Sequence, residues 1–209
     1  MKNLWEEIEL SDYENHMKSD SVMQLQALNT MMKRQLNRYP VKTVMVLGVA
    51  GGNGLEHIDE QKVQKVYGVD INHKYLAKCA ERYKSLNGIF ESICMDLTDK
   101  NNALPHADMM IADLLIEYIG YPCFQNVIMQ VKPLYISCII QIDTNHSFVS
   151  DSPWLHAFDK LDKVHHQMHG DELIALMKDM NYGLIDKIEE LLPNGKKLAQ
   201  LDFELYSLG

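Results

Sequence analysis

Acidic side chains stand in this chain where apolar, strand-like runs give out: Asp70 after KVYGV, Asp96 after SICM, and Asp113 after MMIA. Glu117 and Tyr118 follow just beyond Asp113. A carboxylate at such a place can accept hydrogen bonds from hydroxyl or amino groups, or take up a proton. Upstream lies VMVLGVAGGNG, an apolar run that ends in Gly48, Gly51, Gly52 and Gly54. A strand running into a glycine-rich turn and then a helix sets backbone N–H groups and a helix N-terminus beside one another, which suits the polar or anionic end of a ligand. Glycine serves there because a Cβ would block the approach or the positive φ that it requires. Asp70 comes roughly twenty residues after the glycines, the distance at which an acidic side chain meets ribose hydroxyls. The plainer alternative makes Asp70 a helix N-cap for the segment after Asn72, and Asp96 a turn former.

The elements that must position these groups follow from periodicity. Residues 3–38 read as two helices broken near residues 18–21. Val22, Leu25, Leu28, Met32 and Leu36 lie at helical spacing, and Ser19, Asp20 and Ser21 offer capping oxygens before them. Pro40 ends the segment. From residue 41 strand and helix alternate. Strands are expected at 41–49, 65–71, 89–96, 109–116 and 135–143. Helices are expected from Leu55, over 74–85, over 121–131 and over 171–180. Two final runs flank Pro193-Asn194-Gly195, a hairpin turn. Repeated β–α units predict a mostly parallel sheet with helices on both faces.

The glycine run lacks the G-x-G-x-x-G of dinucleotide-binding proteins, since Ala50 and Asn53 interrupt it. It resembles instead the first motif of class I S-adenosylmethionine (SAM)-dependent methyltransferases, an acidic residue followed by x-G-x-G-x-G. On that register Val46 takes the acidic position, and Gly48, Ala50 and Gly52 take the glycine positions. The resemblance extends over nearly the whole chain and implies an α/β, Rossmann-like three-layer sandwich. Its sheet would be seven-stranded and mostly parallel, with a C-terminal antiparallel hairpin, preceded by N-terminal helices. It implies SAM as cofactor, contacted by Gly48, Val49, Ala50, Gly52, Asp70, Ile71, Asp96, Leu97 and Asp113, with Asp96 toward the adenine. Methyl transfer is an in-line displacement governed by positioning, so no obligatory catalytic residue is implied; Asp113, Glu117, Tyr118 and His146 are the candidates. The resemblance further divides the chain into a helical lid, 1–40, and a SAM-binding domain, 41–209. The N-P-P-[YF] signature of amino-methylating members is missing at strand four, so the resemblance does not imply a base or amide nitrogen as acceptor.

The formal net charge of −9 and the lack of a basic block argue against a nucleic-acid partner. No apolar run is long enough to span a membrane, and the acidic N-terminus does not read as a secretory signal. Cys79, Cys94, Cys123 and Cys138 form no C-x-x-C pair, which fits a reducing cytoplasm; Cys94 and Cys138 read as small buried hydrophobes. His165, His166 and His169 lack a carboxylate at a recognised metal spacing, so no metal is expected. The expectation is a methyltransferase for a small-molecule acceptor, as a monomer or homodimer. The competing readings are a SAM-binding protein without transfer activity and an NAD-type oxidoreductase.

Overall fold

Strand β1 (Thr43–Leu47) forms because TVMVL is rich in β-branched residues and apolar from Val44 on, and it is buried on both faces. The structure, a computed structural model, describes residues 3–99, 101, 103–142 and 149–206. Beside β1 lie β2 (Lys65–Asp70), β3 (Phe90–Cys94), β4 (Met109–Asp113), β5 (Tyr135–Ile142), β6 (Tyr182–Leu191) and β7 (Lys197–Leu205). They make one seven-stranded sheet in the order β3-β2-β1-β4-β5-β7-β6. β1 pairs parallel with β2 and β4, and β7 pairs antiparallel with both β5 and β6. Strand order reverses between β1 and β4, the switch point where open α/β sheets place their ligands.

Among the described residues five α-helices complete the layers: α1 (Leu10–Lys18), α2 (Gln24–Arg38), α3 (His73–Arg82), α4 (Ile116–Val131) and α5 (Gly170–Asp179). Phe124, Val127, Leu173 and Met177 of α4 and α5 pack on one face. Met32 and Leu36 of α2, with Leu76 and Cys79 of α3, pack on the other. Burying each such side chain stabilises the fold by about 1.5–3 kcal/mol. α2 also sets Leu28 and Met31 against Ile139 and Leu198, so it is a full member of its layer. No described helix is long and apolar enough to cross a membrane.

The structure departs from the sequence expectations in four places. The segment after the glycines forms only a 3-10 turn, Leu55–His57. Its place against the sheet is held by α2, whose Met32 Cγ lies 2.5 Å from where a Cβ on Gly54 would stand. α2 is not capped by a serine or aspartate: Met23, at φ 55°, holds the N-cap position, while Ser19 Oγ donates back to the carbonyl of His16. α4 begins a turn earlier than expected and breaks at Gly120 (φ 72°, ψ 163°), just before Pro122. Cys94 is exposed, because β3 is an edge strand.

Candidate active site

The glycine turn, the ends of β2 to β4 and the first turn of α4 enclose a cavity of about 300 Å³. Its walls include Gly48, Ala50, Asp70, Ile71, Asp96, Leu97, Asp113 and Tyr118, all expected from the sequence. Val49 and Gly52 do not line it. Val49 packs into the core beside Val46 and Leu76. Gly52 turns its missing Cβ toward Tyr83 and Cys79, 2.6 and 2.7 Å away. Glu117 lines a smaller, adjoining chamber, and His146 lies outside the described residues.

Asp70 is half-buried at the end of β2. Its Oδ2 accepts from the Ala50 N–H at 2.9 Å and its Oδ1 from the Asn72 N–H at 2.8 Å. The cap of α3 is Asn72, whose Oδ1 accepts from the Lys74 N–H at 3.0 Å. The two Asp70 oxygens therefore hold the glycine turn against β2 and keep lone pairs for a ligand. Burial pushes the Asp70 pKa up, against the backbone bonds that pull it down. Asp96 does close a turn, accepting from Thr98 N–H and Oγ, and lines the cavity as well. Asp113, at the end of β4, is pushed up to about 7 by burial; the Gln35 amide, donating at 2.9 Å, works the other way, and Asp202 and Glu117 add to the rise.

Two residues of the wall are held at positive φ without being glycine: Ala50 at 48° and Leu114 at 52°. That conformation costs an L-residue of order 1–2 kcal/mol. Leu114 is fixed by its N–H, which donates to the Ile139 carbonyl at 2.8 Å.

The N-terminal segment roofs the cavity. Asn3, Trp5 and Tyr13 join its wall, residues whose part depends on long-range folding. Asn72 Nδ2 donates to the Trp5 carbonyl, and Tyr75 OH to that of Ile8. Arg82 pairs with Glu14 of α1 and also donates to the Gly51 carbonyl at 3.2 Å. Burial, then the charges of Asp70, Glu14 and Asp113, push the Tyr13 hydroxyl up, so it stays protonated.

The smaller chamber, of about 70 Å³, shares Trp5, Tyr13, Leu114 and Tyr118 with the larger cavity. His16, Gln24, Glu117, Gln141 and His165 supply its polar groups. His16 Nδ1 shares a 2.7 Å hydrogen bond with Ser152 Oγ. Burial, then the charge of Lys196, lowers its pKa to about 4. Glu117 Oε1 accepts from the Gln141 N–H at 2.9 Å. The His166 N–H donates to the Glu117 carbonyl, and His169 precedes α5. Among the described residues no group of three or more His, Cys, Asp or Glu is placed to hold a metal ion.

No protein-family model matches the chain, and no curated protein matches it in sequence. Solved structures do. The N-methyltransferase NodS from Bradyrhizobium japonicum, in complex with S-adenosyl-L-homocysteine (SAH), superposes with a TM-score of 0.67 at 11% identity, over 95% of this chain and 98% of that one. Magnesium protoporphyrin IX methyltransferase (ChlM) from Synechocystis, with bound SAH, gives 0.66 at 9% identity, over 94% of each chain. The [4+2]-cyclase SpnF gives 0.65 at 10% identity, over 92% of this chain and 85% of its own. At such identities the likeness is one of fold. The chain has the Rossmann-like fold on which these methyltransferases are built, closing antiparallel hairpin included.

Proposed function

We propose that this chain is a SAM-dependent methyltransferase acting on a small-molecule acceptor. The observation that carries the reading is the pair of adjoining chambers at the sheet's switch point. The larger falls at the lower end of the roughly 300–1,000 Å³ of ligand pockets. In this reading SAM lies there, with its amino-acid end at Gly48 and Ala50. Asp70 would hold its ribose, Asp96 and Leu97 its adenine, and Asp113 and Leu114 would stand by its sulfonium. The acceptor enters the smaller chamber. A lone pair of the acceptor forms a bond to the sulfonium methyl carbon as the C–S bond breaks, and sulfur keeps the electron pair as the thioether of SAH. The protein's share is to hold donor and nucleophile in line.

Ala50 supports retained cofactor binding in spite of the departures from the motif. The turn keeps its left-handed bend at Ala50 although the side chain strains it, and strain of this kind persists where the surroundings enforce it. A SAM-binding protein without transfer activity is the second reading, favoured by Val46, which is sealed in the core where the motif has an acidic residue. Calorimetric titration with SAM, SAH and NAD tests cofactor choice. Affinity for SAM and SAH with none for NAD is expected; NAD binding alone would overturn the reading. Release of SAH from SAM across a panel of metabolites then separates the methyltransferase from the non-transferring binder.

A further inference from the structure

The smaller chamber has a composition of its own. Trp5 stands almost perpendicular to two rings: to Tyr118 at 87° with centroids 4.8 Å apart, and to Tyr13 at 82° and 6.0 Å. Phe158 and His16, 4.6 Å apart, face one another across another part of the wall. Glu117, 3% exposed, belongs to the same wall, and its carboxylate accepts from the N–H of Gln141, another residue of that wall. Among the described residues no Lys or Arg lines either chamber, while Asp70, Asp96 and Asp113 line the larger. Buried Lys196 acts on His16 through its charge but does not line the wall.

Aromatic rings at right angles with a carboxylate beside them form a site for a cation. Ring faces present negative potential, and a carboxylate adds charge and hydrogen-bond acceptors. An anion there would meet ring faces and Glu117 with no Lys or Arg in the described wall to compensate. Size narrows the cation further. A cavity of roughly 150 Å³ takes up benzene, so one of about 70 Å³ holds only a few non-hydrogen atoms.

We infer that the smaller chamber seats a short ammonium group, and that the methyl acceptor is a small amine, or the amine end of a larger molecule, with its nitrogen between Glu117 and the Trp5–Tyr118 corner. The inference rests on the methyltransferase reading for the transfer step, though not for binding. The amine enters as an ammonium ion and gives one proton to the Glu117 carboxylate. Its lone pair then forms the N–CH3 bond as the S–CH3 bond breaks. The methylated nitrogen takes over the positive charge that the sulfonium loses. Glu117 gives its proton to water as the product leaves.

The test is calorimetric titration of n-propylamine hydrochloride, 1-propanol and sodium propionate into the protein saturated with SAH. Propylammonium is expected to bind, with propanol and propionate weaker by at least about tenfold. Glu117→Gln, which keeps the acceptor for the Gln141 N–H, should weaken propylammonium by at least about tenfold and leave SAH binding in place. Trp5→Leu should also weaken propylammonium, by removing a ring face. Propanol or propionate binding as tightly as propylammonium, or unchanged propylammonium binding in either folded variant, overturns the inference. If SAH fails to bind the wild-type protein, the methyltransferase reading falls alone. The same titrations on ligand-free protein then still decide what the chamber holds.

Discussion

Asp70 is available to a ligand because Asn72 takes the capping role beside it. Replacing Asp70 by Ala removes charge-assisted hydrogen bonds worth about 1.5–3 kcal/mol, roughly tenfold to a hundredfold in affinity. SAM and SAH should weaken alike in calorimetry, since both carry the ribose. A lowered melting temperature with unchanged affinity would leave Asp70 only its bond to the Ala50 N–H. Gly52 behaves otherwise. Sequence spacing set it at a ligand, whereas the fold sets it against Tyr83 and Cys79. Gly52→Val combines a strained φ of 85° with overpacking against α3, and should cost about 2–4 kcal/mol of stability. The denaturation midpoint should fall, while any folded fraction still binds SAH; a stable protein that loses SAH would put Gly52 back at the ligand. The glycine positions were legible in the sequence, but their purposes were not. Gly51, Gly52 and Gly54 are crowded by Glu14, Arg82, Tyr83, Cys79 and Met32, from helices distant in the chain.

At the scale of elements, the strand and helix alternation was readable because the central strands β1, β4 and β5 are largely apolar runs and the helices between strands carry apolar stripes. The roles of the two N-terminal helices were not readable, since both are amphipathic. α2 buries Leu28, Met31, Met32 and Leu36 in the layer. Residues 3–18 are tied to α3 mainly by polar bonds, several of them exposed: Lys74 to Glu9 at 3.2 Å, and Arg82 to Glu14. Exposed ion pairs are worth about 0–1 kcal/mol each, so this segment is the part suited to act as a lid. Hydrogen exchange should separate the two. Amides of residues 12–18 should gain protection when SAH binds, and α2 should exchange slowly with or without it. Glu14→Gln should speed exchange in 12–18 of the ligand-free protein, with SAH restoring part of the protection. Equal exchange in 12–18 at saturating SAH would make the segment a fixed cover.

For the whole molecule, two buried groups set opposing slopes of stability against pH. Asp113 is raised from 3.8 to about 7. The folded state therefore binds the extra proton between those values, and stability falls as pH rises through that window. His16 is lowered from 6.5 to about 4. There the unfolded state binds the extra proton, and stability falls as pH drops from about 6.5 to about 4. Removing one slope exposes the other: Asp113→Asn should become more stable relative to wild type as pH rises from about 4 to about 7, in urea denaturation at fixed temperature. A constant difference across that range would mean that Asp113 ionises normally. Asp113 is also one end of a buried chain of polar groups. Gln35 Nε2 donates to Asp113 and to Ser137 Oγ, Ser137 donates to Asp202, and Tyr39 OH donates to Asp202 at 2.7 Å. Asp202 belongs to β7, which follows β6 in the chain yet slots between β5 and β6. The order of synthesis is thus the reverse of the order of assembly at this point. While the chain emerges from the ribosome, β1 to β5 can pair, yet the flank of β5 and the polar groups behind Asp113 wait for residues 197–205. Chains that stop short of Lys197 would leave β5 as an open sheet edge, with Ser137 and Tyr39 deprived of the Asp202 carboxylate.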